Sequence, residues 1–412
     1  MIDINHDVWF HRCQIGGSDL DFFLPDAIMT GSLIEEGLGL LVDRGEISAV
    51  CSRDAVPASI GITRLEGLLA PGYVEIQING CGGVIFTHTP TPAAIERMSD
   101  VLQMHGVTSF LPTLITAPAD VILSGIEAVR AVRDRLPSVL GMHLEGPHLS
   151  LNHPGTHDRS LIRPMSDGDL ARIVGASDAI RLLTIAGESV TLDQIGALAD
   201  AGIILALGHT AISAAEVLQA HGRGVHMLTH LYNGMPPLGG RAPGPVGAAF
   251  ASDTLAASII VDGFHVDEIA VRSAVRAMGD RLVLTSDATA SIEGGAGVFE
   301  FGGYRCQIED GVVRNDIGGL AGAAVLLDVV VQRMAALTKD KVQAIRMASE
   351  LPARLIGFGD QIGRLAPGLR ANFNLLDPQM LTVRGVWAAG LPVAVSGHGQ
   401  NLAHKHSRGN AT

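Results

Sequence analysis

The chain has 412 residues, 47% hydrophobic and 17% charged, which allows one large core plus a small satellite and leaves little room for extensive disorder. Its formal charge of −13 argues against a nucleic-acid partner, which needs basic patches. The four cysteines form no CxxC pair and fit reduced thiols; no stretch reaches the roughly 18 apolar residues of a membrane span, and the N-terminus lacks a basic and then apolar leader pattern. A cytoplasmic protein is expected.

In chain order, residues 1–25 show little periodicity and are expected to be an irregular extension. Residues 26–68 carry short strand-like runs broken by glycine and acidic turns. Eight apolar runs follow: YVEIQ (73–77), SFLPTL (109–114), VLGMHL (139–144), IRLLTIA (180–186), IILAL (203–207), VHMLT (225–229), AASIIV (256–261) and RLVLTS (281–286). Between most of them lie amphipathic or alanine-rich stretches of helical length, at 92–104, 118–134, 191–201, 212–221 and 266–278. Strands alternating with helices imply a parallel sheet, and eight repeats point to a closed (β/α)₈ barrel. The alternative is an open doubly wound sheet, but that fold usually opens with a glycine-rich phosphate loop, and neither GxGxxG after the first strand nor a Walker A motif is found.

The glycine-broken texture returns at 359–396, so a small β-sandwich assembled from both chain ends is expected. The predicted division is 1–68 for its N-terminal part, 69–358 for the barrel, 359–396 for its C-terminal part and 397–412 for a flexible tail. The tail histidines His398, His404 and His406 are expected to belong to a frayed end.

Four of the apolar runs stop at a metal-type or acid/base residue: Glu145, His209, His230 and Asp287. A barrel gathers its strand ends at one mouth, where that fold places its chemistry. One carboxylate and two imidazoles suit a divalent metal, and a further carboxylate suits a base beside it. Taken singly, each histidine also reads as a hydrogen-bonded structural group at a strand end, and Asp287 as a helix cap.

PGYVEIQINGCGG (71–83), HLEGPHLSLNHPGTH (143–157), GHTAISAAEV (208–217), THLYNGMPPLGGRAPG (229–244), VDGFHVD (261–267), LTSDATA (284–290) and GGLAGA (318–323) together resemble the N-acetylglucosamine-6-phosphate deacetylase family of the amidohydrolase superfamily. The resemblance spans about residues 65–376. It implies hydrolysis of an N-acetylated amino-sugar phosphate in amino-sugar catabolism, with Glu145, His209 and His230 as metal ligands and Asp287 as general base. His157 would contact the acetyl carbonyl. The sugar phosphate would be held by Thr156, Asn233, the Gly234 backbone, Arg241 and His265, the last reaching over from the neighbouring subunit, with Leu320, Ala321 and Gly322 lining the sugar pocket.

Many amidohydrolases carry His-x-His after the first strand; here it is Gln77-Ile78-Asn79, as in the single-metal branch of the resembled family. Amides are poor transition-metal ligands, so one divalent ion per subunit is expected, zinc first and iron, cobalt or manganese as alternatives. Gln77 and Asn79 would hydrogen-bond near the site or close the loop after the first strand. A homodimer is implied. His148, 152–154 and the glycine-rich stretch after Asp287 depart from the family pattern, which leaves the sugar epimer open between gluco and galacto. Other readings are an amidohydrolase acting on a different N-acyl amide and a sugar-phosphate binder without turnover.

Overall fold

The computed structural model describes residues 20–289 and 297–394. Eight parallel strands form the core: β1 (Tyr73–Ile78), β2 (Val107–Ile115), β3 (Met142–Glu145), β4 (Ile180–Ile185), β5 (Ile204–Leu207), β6 (Val225–Leu228), β7 (Ala256–Ile259) and β8 (Leu282–Leu284). They are hydrogen-bonded in sequence order, and a bridge between Ile78 and Ala288 joins the first strand to the segment leaving the last. All eight predicted strands are present, and the fold is a (β/α)₈ barrel. Every residue of β1 and of β2 is buried, as expected for strands covered on both faces, which therefore read as continuous apolar runs.

The outer helices begin where the sequence supplies caps. Thr91 accepts from Ala94 N before Pro92–Met104, and capping boxes start Leu192–Asp200 at Thr191 and Ala214–Arg223 at Ser213. Each turns its apolar stripe inward, Pro92–Met104 burying Ile95, Met98 and Leu102.

A second sheet is built from both flanks of the barrel, in the order Leu391–Ala394, Val383–Ala388, Phe373–Leu376, Ile62–Pro71, Leu20–Thr30, Leu38–Asp43, Glu46–Ser52, with Leu33–Glu36 paired to Leu20–Thr30. Its far edge curls back: Ile47 N donates to Leu369 O (2.8 Å) and Ala371 N to Gly45 O (2.8 Å). The sheet thereby wraps a core of its own around Phe23, Leu40, Leu69, Phe373 and Trp387.

Residues 20–25, expected to be irregular, belong to the strand Leu20–Thr30, which buries Phe22 and Phe23. The register shifts between Pro25 and Ala27, and that bulge interrupts the alternation that would have marked the strand. Residues 1–19, 290–296 and 395–412, with the tail histidines, lie outside the described residues. A three-stranded antiparallel sheet (Val298–Phe301, Tyr304–Glu309, Val312–Asn315) was not expected. It packs Phe301, Cys306 and Val313 onto Ile85 and Ile115 beside the barrel mouth.

Candidate active site and metal centre

Glu145 is the last residue of β3; His209, His230 and Asp287 follow β5, β6 and β8 within three residues. The last three adopt left-handed backbone, with φ of +48°, +34° and +52°. For a non-glycine residue this costs roughly 1 kcal/mol or more, and such strain clusters at sites where the surrounding fold over-determines a side chain's aim. The chain turns out of each strand so that the side chain points into the mouth.

Glu145 Oε1 lies 3.1 Å from His230 Nε2 and 3.3 Å from His209 Nε2, and the two Nε2 atoms are 3.1 Å apart. His209 Nδ1 faces His153 O at 2.9 Å and His230 Nδ1 faces Asn233 O at 3.1 Å. A carbonyl can only accept, so each Nδ1 carries a proton, which leaves each Nε2 as the ring nitrogen that can offer its lone pair to a metal. Two lone pairs and a carboxylate oxygen converging in a buried site repel one another unless a cation lies among them. That donor set fits a divalent metal, with the carbonyl partners orienting the ligands.

The two amides after β1 act as donors to the site's carboxylates. Gln77 Nε2 reaches Glu145 Oε2 at 3.2 Å, and Asn79 Nδ2 reaches Asp287 Oδ1 at 2.8 Å. Burial, and then the charge of Glu145, raise the Asp287 pKa to about 6. His157 is held neutral, its pKa lowered to about 3 by burial and then by His209, whose ring it meets edge-on with centroids 4.5 Å apart. Its Nδ1 faces the Thr116 hydroxyl (2.9 Å) and backbone N–H (3.4 Å); a nitrogen that accepts from an N–H leaves the ring proton on Nε2, as a donor.

Asn79, Glu145, His157, His209, His230 and Asp287 line a cavity of about 230 Å³, together with Asn233, Gly234, His265, Leu320 and Gly322 and an apolar wall of Ile115, Ile260 and Phe301. His265 lines the cavity of its own chain, and Asp262 anchors it: Nδ1 lies 2.7 Å from Asp262 Oδ2. Burial would raise the Asp262 pKa, but hydrogen bonds from His265 and Phe264 hold it near about 2.

Thr156 lines the cavity, but its hydroxyl donates to Leu320 O (2.9 Å) and accepts from Asn315 Nδ2 (3.0 Å), tying its loop to the segment after the three-stranded sheet. Ala321 is buried in the apolar cluster behind that segment. Arg241 is exposed on its loop and is not among the residues lining the cavity. His148 turns away to Arg163 O (3.1 Å), and His143 sits in the barrel interior against Thr184 Oγ1 (2.8 Å).

Sequence reasoning missed Glu75, fully buried below Gln77, whose carboxylate receives hydrogen bonds from Gln77 N (3.0 Å), Thr285 Oγ1 (2.6 Å) and Ser286 N (2.9 Å). A charged residue inside an otherwise apolar strand was its one available signal. Phe301 was missed because its short strand gave no periodic pattern to place it.

The amidohydrolase family model matches residues 68–399. The chain belongs to that family. Within it, the chain groups with the N-acetylglucosamine-6-phosphate deacetylases. An N-acetylgalactosamine-6-phosphate deacetylase of Shewanella sp. strain ANA-3 is 36% identical, covering 79% of this chain and 82% of that protein. An N-acetylglucosamine-6-phosphate deacetylase of Haemophilus influenzae is 32% identical, covering 84% and 94%. Among solved structures, the N-acetylglucosamine-6-phosphate deacetylase of Pasteurella multocida superposes with a TM-score of 0.88 at 32% identity, covering 90% of this chain and 99% of that one. Glu145, His209, His230 and Asp287 stand at the C-terminal strand ends, the face where (β/α)₈ barrels hold their active sites.

Proposed function

We propose that the chain is a metal-dependent deacetylase that hydrolyses N-acetyl-D-glucosamine 6-phosphate to D-glucosamine 6-phosphate and acetate, in amino-sugar catabolism. The observation that carries this reading is the convergence of three buried acceptor atoms from Glu145, His209 and His230 in one cavity with Asp287, in a chain of this family. One divalent metal per subunit, held by those three side chains, supplies Lewis acidity toward an amide carbonyl and lowers the pKa of water. Zinc suits the oxygen-and-two-nitrogen donor set best; iron, cobalt and manganese suit it next.

Asn79 holds Asp287 Oδ1 and leaves Oδ2 to take the proton from the attacking water and pass it to the leaving amine. His157, neutral and buried, offers Nε2–H to the carbonyl oxygen as negative charge develops there. Thr156 and the segment 320–322 shape the sugar pocket, with Asn233, the Gly234 backbone and His265 on the phosphate. Arg241, exposed on its loop, offers a guanidinium fork suited to phosphate oxygens once substrate or a second subunit draws the loop inward. A homodimer working in the cytoplasm completes this reading.

A second reading, N-acetyl-D-galactosamine 6-phosphate as substrate, is favoured by the 36% identity to the Shewanella protein. The test is acetate release from both phosphorylated epimers and from unphosphorylated N-acetylglucosamine, on metal-quantified protein. Turnover of the gluco phosphate with about one metal per chain supports the first reading; turnover confined to the galacto phosphate supports the second. No turnover of any of the three by metal-loaded protein refutes both.

A further inference from the structure

Seven of the eight seams between neighbouring barrel strands are parallel ladders, three of them with register shifts. The eighth, between β8 and β1, has no ladder: past the end of β8, Asn79 N and Gly80 N donate to Ala288 O (2.9 and 3.2 Å) around one bridge from Ile78 to Ala288. It is also the seam beside Asp287. Where β8 ends at Leu284, the chain heads for the left-handed turn at Asp287, and the Ser286 N–H finds a side-chain acceptor instead of a strand partner. That acceptor is Glu75 Oε2, at 2.9 Å. Glu75 Oε1 receives the Thr285 hydroxyl at 2.6 Å and the Gln77 N–H at 3.0 Å, and Gln77 O in turn receives Asp287 N at 3.1 Å.

Residues 75, 77 and 79 share one face of the first strand and its extension. Their polar groups rise through the barrel to different parts of the site: Asn79 to Asp287, Gln77 to Glu145, and Glu75 to the two residues immediately before Asp287. Closing a seam needs no charge, and burying a carboxylate costs several kcal/mol unless its hydrogen bonds compensate. An apolar side chain would serve closure alone. A carboxylate gives directed acceptors, which set the position of the Thr285–Ser286 backbone to within a hydrogen bond's tolerance.

We propose that Glu75 is a positioning residue for the deacetylation. Its carboxylate takes the Thr285 and Ser286 donors and, with the backbone bonds that Asp287 and Ala288 make to the first strand and its extension, fixes where Asp287 sits relative to the water and the leaving amine. This rests on the reading of Asp287 as the base. A displacement of about 1 Å at such a base costs on the order of 100-fold in rate.

Glu75→Gln keeps the shape but sets an amide N–H against Ser286 N–H; Thr285→Val removes one donor and leaves the carboxylate; Glu75→Asp restores the charge on a shorter stem. Each is compared with wild type in kcat, KM, metal content and thermal midpoint, and Glu75→Gln is repeated in an Asp287→Asn background. Glu75→Gln is expected to lower kcat roughly 10- to 100-fold with KM within about twofold and metal content unchanged. Thr285→Val is expected to lower kcat less, and Glu75→Asp to recover part of the loss. With Asp287→Asn already present, Glu75→Gln is expected to change kcat less than about twofold, because the group it positions no longer acts as base.

Wild-type kcat in folded, metal-loaded Glu75→Gln or Thr285→Val overturns the proposal, as does an equal fold-loss in both backgrounds, which marks a purely structural role. If Glu75→Gln does not fold, the kcat of Thr285→Val decides. Failure of the wild-type protein to release acetate instead refutes the functional reading beneath it, so the two failures are distinguishable.

Discussion

Gly234→Ala probes how the fold holds a metal ligand. Gly234 has φ of +61°, and a Cβ there would stand 2.9 Å from His209 Nδ1, 3.1 Å from Cε1 and 3.3 Å from Cγ. The ring has little room to yield. Its Nδ1 is bound to His153 O at 2.9 Å, its Nε2 lies in the Glu145 cluster, and the Gly155 backbone also crowds it, a Cβ there falling 2.7 Å from Cε1. Left-handed backbone at an alanine costs roughly 1 kcal/mol. Loss of the His209–His153 hydrogen bond adds about 1 kcal/mol, giving about 2 kcal/mol in stability. Displacing a ligand's orienting partner weakens metal binding by about 10- to 100-fold.

Gly202→Ala is the control, because Gly202 has φ of +82° and no atom within 4 Å of its would-be Cβ. It carries the backbone cost alone. Competition with a chromophoric chelator measures metal affinity, and urea unfolding of metal-free protein measures stability. Gly234→Ala is expected to exceed the control in stability loss and to be alone in losing metal affinity. Equal stability loss with wild-type metal affinity would refute the reasoning.

Asp287→Asn keeps the contact with Asn79 but cannot take a proton, and should lower kcat by about 10²–10⁴-fold or more with metal content unchanged, checked by steady-state kinetics and elemental analysis. As base, Asp287 must be ionised; burial and the charge of Glu145 raise its pKa to about 6, so kcat should fall as pH drops through that region. A bound cation favours the anionic form and shifts this acid limb below 6 in the metal-loaded protein; a pH–kcat profile without an acid limb would count against Asp287 as base. Phe373→Ala empties a ring that stacks on Trp387 and meets Phe23 edge-on, each with centroids 5.0 Å apart, and should destabilise the protein by roughly 3–5 kcal/mol in urea unfolding while sparing kcat of the molecules that remain folded.

The barrel was legible in the sequence because its strands are buried on both faces: VTSFLPTLI at 107–115 is apolar or uncharged throughout and needs no partner to be recognised. The amphipathic stretches at 92–104 and 212–221 were legible for the same local reason and overlap the helices Pro92–Met104 and Ala214–Arg223. The strand-end residues Glu145, His209, His230 and Asp287 stood out as polar groups closing apolar runs. Residues 20–25 of the strand Leu20–Thr30 and the sheet at 298–315 stayed hidden, one behind a bulge at Pro25 and the other in strands too short to show a period.

Which partner each polar side chain takes was decided only in three dimensions. Asn79 meets Asp287 across 208 residues, and Glu75 meets Ser286 across 211. The Thr156 hydroxyl was taken up by Leu320 and Asn315. Local propensity and burial act over a few residues and leave their pattern in the chain. A hydrogen bond acts over about 3 Å of space, and which atoms come that close depends on the closure of the barrel.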